Sequence, residues 1–376
     1  MPTIMIDARY LNGQASGIGR YTRHLIEELL FLDPTLSLRL ITDRAEPEPF
    51  QHPRVSAETF PGAANSLRTR FGLARSIDFQ GVDLFHSPFN ILPANLPVPA
   101  IFTLHDIMWL LNRSYCTDKL WKKVITGSFY NAFIPRSVKE ARGVLTVSNH
   151  SKGEIQSYFG PETPPVGITY NGIDPFFHPQ RPQDAWPLLS PYLAPRTPFV
   201  LVVGQGTPYK NHEGALRAFL DAFGEDPQVR LVFVRRLHSK PQGELKRLLE
   251  DPRGGSRILQ LDYVSGEELR ALYSMAQAFL FPSFYEGFGL PALEAMACGT
   301  AVITSNQGAP AEVCASGALQ VNPEDTAEIA AALRLLVYDE EQRRHWEDKG
   351  RHRATEFTWR DCARQALDFY YQILEA

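Results

Sequence analysis

Short apolar runs alternate along this chain with stretches in which apolar residues recur every three or four positions. The runs at residues 3–6, 36–42, 82–86, 100–104 and 143–147 predict strands. Between them the spacing is helical, as at 20–32, where Leu25, Ile26, Leu29 and Leu30 share one face. Strand and helix in alternation predict a parallel, doubly wound α/β sheet. From 179 to 198 the pattern lapses, and Pro179, Pro182, Pro187, Pro191, Pro195 and Pro198 fall close together. Proline at that density opposes helices and central strands, so the segment reads as an interdomain connection. The rhythm then restarts, with runs at 199–203, 229–234, 257–261, 278–281, 301–304 and 318–321. A last helix is expected over 359–374, with an apolar stripe of Trp359, Ala363, Leu367, Tyr370 and Leu374 that must pack on something. The expected division is a Rossmann-like domain over 1–180, a Pro-rich linker over 181–198, a second Rossmann-like domain over 199–356 and the terminal helix over 357–376. Open sheets of this kind bind ligands beyond the carboxyl ends of their strands.

Length agrees with that division, since 376 residues exceed what one ordinary core holds. Apolar residues at 44% and charged residues at 21% place the chain among ordinary globular proteins. A net charge of −4 argues against a dedicated nucleic-acid binder, which needs a basic surplus. Cys116, Cys298, Cys314 and Cys362 show neither metal-ligand nor CxxC spacing, so reduced cytosolic thiols are expected. The opening MPTIMIDARY runs straight into a strand pattern, unlike a signal peptide. No apolar stretch approaches the roughly 20 residues of a membrane helix. The expectation is a cytoplasmic protein, with any contact to the inner membrane face peripheral.

Candidate chemistry gathers in loops that follow strands. EGFGLPALE at 286–294 comes after the strand at 278–281. Pro291 sits where a first helical residue is favoured and Gly299 where a helix stops. Glu286 is then in a glycine loop and Glu294 in about the first turn of a short helix. A helix start after glycines offers amide donors to an anion, and two carboxylates beside it suit a ligand with phosphate and hydroxyl groups. Lys210 lies in GQGTPYKN at 204–211, where a lysine after a glycine turn can neutralise a departing diphosphate; the segment is no P-loop. Gly17 and Gly19 open the first helix in GIGRY, but Thr22 holds the third glycine position of a dinucleotide fingerprint. His105 closes the strand at 100–104, placed to hydrogen-bond a substrate hydroxyl or to act as an acid or base near neutral pH. The sequence has no D-x-D motif, so no metal bridging a diphosphate through one is expected.

Two basic stretches complete the inventory. Residues 113–152 carry eight Lys and Arg against Asp118 and Glu140. Arg68, Arg70 and Arg75 interleave with Leu67, Phe71, Leu73 and Ile77. Basic and apolar residues on one helix can dock on an anionic bilayer, and they equally make an ordinary solvated face.

Taken together, these segments resemble the retaining glycosyltransferases of family GT4, which have the GT-B fold. The resemblance runs through SGIGRY at 16–21, HSP at 86–88, LHD at 104–106, Val147-Ser148 with Ser151-Lys152 and YNGID at 170–174. It continues through Lys210-Asn211, VSGEEL at 264–269, Pro282-Ser283 and EGFGLPALE with EAMACG at 294–299. It implies an acceptor domain followed by a donor domain across a central cleft, with the last helix crossing back to the N-terminal domain. It implies that Glu286 contacts the donor sugar's hydroxyls, that the backbone at Phe288, Gly289 and Leu290 holds sugar and diphosphate, and that Glu294 binds the ribose. Lys210 would stabilise the departing diphosphate, with Asn211 and Gln205 beside it in the donor loop, and the backbone near Val264 would meet the nucleobase. Gly17 and Gly19 would approach the phosphates and His105 the reacting sugar. Where many relatives carry an arginine a few residues before the lysine and another just before it, this chain has Gln205 and Tyr209. One positive charge on the leaving group is then missing, or supplied from elsewhere.

The function implied is transfer of a hexose, with retention, from a nucleotide sugar to a saccharide or lipid-linked saccharide. GDP-mannose leads as donor and UDP-hexoses follow, with no metal or other cofactor. Three rivals are weaker. A nicotinamide dehydrogenase needs the fingerprint that fails at Thr22. A glycosidase needs carboxylates flanking the bond from two sides, which one loop-helix supplies poorly. A non-catalytic sugar-nucleotide-binding protein would keep the binding residues, and the Gln205 departure makes that rival testable.

Overall fold

Apolar runs without alternation make strands buried on both faces, and such strands belong in parallel sheets covered by helices. The computed structural model describes residues 2–11, 16–43, 51–117, 119–235 and 243–376, the side chains of Leu120 and Lys122 aside. It divides into two units. The first comprises Met1–Arg113, Lys119–Gly172 and Thr358–Ala376; the second comprises Ser114–Asp118 and Ile173–Phe357.

In the first unit the strands are β1 (Thr3–Asp7), β2 (Ser37–Thr42), β3 (Val55–Thr59), β4 (Leu84–Ser87), β5 (Ala100–Thr103), β6 (Gly143–Thr146) and β7 (Val166–Ile168). They pair in the order β3-β2-β1-β4-β5-β6-β7, and every pairing is parallel. In the second unit β8 (Phe199–Val203), β9 (Arg230–Val234), β10 (Ile258–Leu261), β11 (Ala278–Phe281), β12 (Val302–Ser305) and β13 (Leu319–Val321) repeat the plan. Their order is β10-β9-β8-β11-β12-β13, again all parallel. Both sheets are therefore doubly wound and Rossmann-like. Strands β3 and β7 fall outside the predicted set. Each is a part-exposed edge strand; β3 has few apolar residues and β7 only three residues in all, so the pattern carries little signal there.

Helix α1 (Gly17–Leu32) covers the first sheet with its buried stripe of Tyr21, Leu25, Ile26 and Leu29. The terminal helix returns to the first unit and packs on that stripe through Trp359, Ala363, Ala366, Phe369, Tyr370 and Ile373. Leu367 and Leu374 of its predicted stripe lie at the margin of this core. Each large side chain fully buried there contributes roughly 1.5–3 kcal/mol.

The Pro-rich segment departs from expectation, because it contains a helix, Pro182–Leu189, within the second unit. Pro182 occupies the helix start, where no amide is needed, and Pro187 removes one bond from a helix of only eight residues. Among the described residues no helix is long and apolar enough to cross a membrane. The four cysteines are buried, and no disulfide joins them among those residues.

Candidate active site

The loop after β11 leads into a helix, α2 (Leu290–Ala297), whose two ends differ. At its start Gly289 takes φ +107°, a conformation that side-chain-bearing residues adopt with strain, and no side chain caps the first turn. At its end the amides of Gly299 and Thr300 reach back to the carbonyls of Met296 and Ala295, the closure expected of a glycine stop. In that first turn Pro291 carries no amide and the Ala292 amide donates to the Gly289 carbonyl (3.0 Å), so the backbone donor left for a ligand there is the amide of Leu290.

The loop after β8 comes alongside. The amide of Phe284 donates to the carbonyl of Tyr209 (2.8 Å), which stitches the β11 loop to the β8 loop. That stitch brings Lys210 Nζ to 2.5 Å from Glu286 Oε1. The two side chains are 9% and 12% exposed, so the pair sits largely out of water. The ammonium also lies 4.6 Å from the ring centroid of Phe281 and 5.1 Å from that of Tyr209. Two residues chosen separately from the sequence thus form one charged contact.

Glu294 is buried, and its Oε2 accepts a hydrogen bond from the Tyr273 hydroxyl (3.2 Å). Asn211 has structural duties. Its Oδ1 accepts from the amide of Gly214 (3.1 Å), capping helix α3 (His212–Phe223), and its Nδ2 donates to the carbonyl of Pro323 (2.7 Å). Gln205 is exposed, Phe288 is buried with its ring edge-on to Phe357, and Leu290 is the first residue of α2. Val264 is buried just before a reciprocal cap in which Ser265 and Glu268 each accept from the other's amide. The S-x-x-E spacing at 265–268 is the sequence signature of such a cap.

In the first unit, His105 lies just beyond β5 and its Nε2 donates to the carbonyl of Pro88 (3.1 Å). This fixes the tautomer, leaving Nδ1 as an acceptor. Burial draws its pKa down to about 4, so the imidazole is neutral at pH 7. At pH 7 His105 is thus a neutral hydrogen-bonding group, the first of the two roles expected of it. Gly17 begins α1 and is exposed. Gly19 is a glycine for packing, because a Cβ there would stand 2.8 Å from the Tyr10 carbonyl oxygen, and its amide is taken by Ser16 Oγ (3.0 Å).

The basic stretches divide. On the helix Leu67–Ser76, Arg70 is buried and makes a two-pronged pair with Glu140 (2.6 and 2.6 Å), so it faces inward with Leu73. Leu67, Arg68, Phe71 and Arg75 face out. On the helix Leu120–Glu140, Trp121, Val124 and Ile125 are exposed; Asp118 and the Lys122 side chain of this stretch lie outside the description. Among the described residues no cluster of His, Cys, Asp and Glu could hold a metal ion.

Four polar residues at the strand ends of this unit have no role in the sequence reading, although Ser283 belongs to a segment that carries the resemblance. Thr207 Oγ1, His212 Nε2, Ser283 Oγ and two nitrogens of Arg235 are buried without a hydrogen-bond partner among the described residues. All lie beyond the carboxyl ends of β8, β9 and β11. The available signal was position, a polar or charged residue within a few places of an apolar strand's end.

Two doubly wound parallel units of this kind are the architecture of the GT-B glycosyltransferases, and comparison with known proteins gives the class. Residues 15–176 match the model described as Glycosyltransferase Family 4, and residues 191–353 match Glycosyl transferases group 1. The chain belongs to glycosyltransferase family 4. It is 27% identical over 375 residues to the O-antigen chain mannosyltransferase B of Escherichia coli, covering 94% of this chain and 96% of that protein. It is 28% identical over 408 residues to the MMP alpha-(1->4)-mannosyltransferase of Mycolicibacterium hassiacum, covering 95% of each. In fold it is similar to the sucrose-phosphate synthase of Thermosynechococcus elongatus, with a TM-score of 0.74, 21% identity and 100% and 99% of the two chains covered.

Proposed function

We propose that the protein transfers mannose, with retention, from GDP-mannose to a saccharide or lipid-linked saccharide acceptor, without a metal. The contact between Lys210 and Glu286 beside the start of α2 carries this reading. Mannose is favoured because two relatives matched over nearly the whole chain are named as mannosyltransferases. In the proposed reaction the bond from the anomeric carbon to the diphosphate oxygen breaks. The acceptor oxygen bonds to the same face of that carbon, and its proton passes to the departing diphosphate. Lys210 and the Leu290 amide at the start of α2 meet the charge that develops on the diphosphate, an electrostatic contribution that is often the largest in catalysis. Glu286 holds sugar hydroxyls, Glu294 the ribose, and the Val264 backbone the base. Neutral His105 accepts a hydrogen bond from a sugar hydroxyl through Nδ1.

A panel of nucleotide sugars tests the proposal, scored by thermal stabilisation, which grows with the logarithm of ligand over Kd, and by release of nucleoside diphosphate. GDP-mannose is expected to lead. A UDP-hexose in front would reassign the donor, and an inverted anomeric centre in the product would sink the retaining course. Turnover that survives EDTA is expected, and its loss would remove metal independence. Gln205, in place of an arginine, supports a second reading as a non-catalytic nucleotide-sugar-binding protein; tight binding with neither transfer nor slow hydrolysis would select it.

The outward face formed by Leu67, Arg68, Phe71 and Arg75 supports peripheral contact with an anionic membrane at its cytoplasmic side. Co-sedimentation with phosphatidylglycerol vesicles but not with phosphatidylcholine is expected, and equal partition would refute it.

A further inference from the structure

Arg235, the residue after β9, is an uncommon arginine. It is 1% exposed, and among the described residues no carboxylate stands within ion-pair distance. One nitrogen, Nη2, donates to Gln260 Oε1 (2.5 Å), while Nε and Nη1 have no partner among the described residues. The guanidinium rests 5.1 Å from the Phe233 ring centroid. The Asp262 carboxylate bears on it from beyond ion-pair distance, and a buried cation so weakly compensated costs several kcal/mol unless an anion meets it.

Its surroundings are those of the proposed donor site. The amide of Gly204 donates to the carbonyl of Val234 (3.0 Å), so the β8 loop begins beside Arg235. The stem of Lys210 lies over Gly204, close enough that a Cβ there would stand 3.2 Å from Lys210 Cδ. His212, the first residue of α3, also has an unpartnered buried Nε2. Its pKa is drawn to about 3, first by burial and then by the positive charges of Arg235 and Lys210. Arg235 and Lys210 therefore form one positive corner at the ends of β8 and β9, with the neutral imidazole of His212 beside them. In the same corner Gln205 stands where related chains carry an arginine.

We propose that Arg235 binds the diphosphate of the nucleotide donor, supplying from the β9 end the positive charge that the β8 loop lacks at Gln205. The inference rests on the nucleotide-sugar reading above and adds a residue to it. A guanidinium presents several N–H donors in a rigid fork that matches phosphate oxygens, and Nε and Nη1 are the two that the protein itself leaves over.

The test compares GDP and UDP with guanosine and uridine, titrated calorimetrically into the wild type, Arg235→Met, Arg235→Lys and the double variant Arg235→Met with Gln205→Arg. Arg235→Met is expected to weaken the diphosphates roughly 10- to 100-fold while leaving the nucleosides unchanged, the range for one lost charge-assisted contact. Arg235→Lys should keep part of the affinity, and Gln205→Arg should restore part of it to the double variant. Without ligand, Arg235→Met should melt at or above the wild type, because a weakly compensated buried charge has been removed. Equal weakening of nucleosides and diphosphates, no weakening of either, or a much lower melting point without ligand would each overturn the proposal. A wild type that binds neither GDP nor UDP would instead overturn the nucleotide-sugar reading beneath it.

Discussion

Each unit places a buried carboxylate-cation pair beyond a strand end, and the two pairs are built differently. In the first unit Asp7 ends β1 and grips Arg9 through two contacts, Nε to Oδ1 (2.8 Å) and Nη2 to Oδ2 (2.5 Å). Arg9 Nη1 then donates to Thr69 Oγ1 (2.9 Å) and the Gly62 carbonyl (3.3 Å), so every guanidinium nitrogen is used. The partners are neighbours in sequence. In the second unit Lys210 and Glu286 come from loops 76 residues apart and share a single contact. A closed network with no donor left over serves the fold. A single contact between loop residues is one a ligand can exchange.

The largest effect expected from this difference is on stability. Asp7→Asn leaves Arg9 buried beside a neutral amide, and the cost expected for breaking such a pair is about 3–5 kcal/mol. The urea midpoint followed by circular dichroism should fall steeply. A midpoint near that of the wild type would place the Asp7 pair in the same class as the Lys210 pair.

Next comes catalysis. Lys210→Met keeps the stem against Gly204 and removes the charge. If the cation meets developing charge on the diphosphate, kcat should fall roughly 100- to 1,000-fold, as when one such donor is lost. The midpoint should move much less than for Asp7→Asn. A large loss of stability with little loss of turnover would reverse the roles assigned to the two pairs.

This contrast also marks how far the sequence could be read. The glycine loop and its helix were legible because Gly289, Pro291 and Gly299 each meet a local backbone need. The sheets were legible because a strand buried on both faces is apolar throughout, and β3 and β7 failed that rule at the edges. Contact between Lys210 and Glu286 was not legible, since it depends on a backbone bond from Phe284 to Tyr209. Arg235 was passed over because nothing local separates it from a surface arginine; only burial does. The prolines were read as a break although one lay at a helix start. His105 was placed at the right strand end, but its ionisation was set by burial that no short window contains.

Acid provides one probe in each unit. His86 in the first is bonded to the Tyr370 hydroxyl (2.6 Å) and Thr103 Oγ1 (2.8 Å), and burial lowers its pKa to about 3. In the second, His212 is lowered to about 3 as well. Both take up protons more readily unfolded, near pH 6.5, than folded. Their contribution is therefore fully present above pH 6.5 and is lost as pH falls toward 3. The expected slope approaches about 1.4 kcal/mol per pH unit for each histidine. Denaturation midpoints from pH 7 to 4 for His86→Gln and His212→Gln should each show a shallower decline than the wild type; an unchanged slope would mean the histidine is solvated when folded.

The smallest effect has the most telling sign. Glu286 holds Lys210 in the free protein, so a diphosphate must displace that carboxylate to reach the ammonium. Glu286→Gln weakens the competitor and removes a negative charge from the site. Free GDP or UDP carries no sugar for residue 286 to hold, so nothing is lost on that side. Nucleoside diphosphate should bind several-fold tighter, about 1 kcal/mol, while transfer from the nucleotide sugar falls. The same titration of Asp7→Asn, at a temperature where it is folded, should leave diphosphate affinity as it was. Weaker diphosphate binding by Glu286→Gln would mean that the carboxylate positions Lys210 instead of competing for it, and the second pair would then be a closed structural unit like the first.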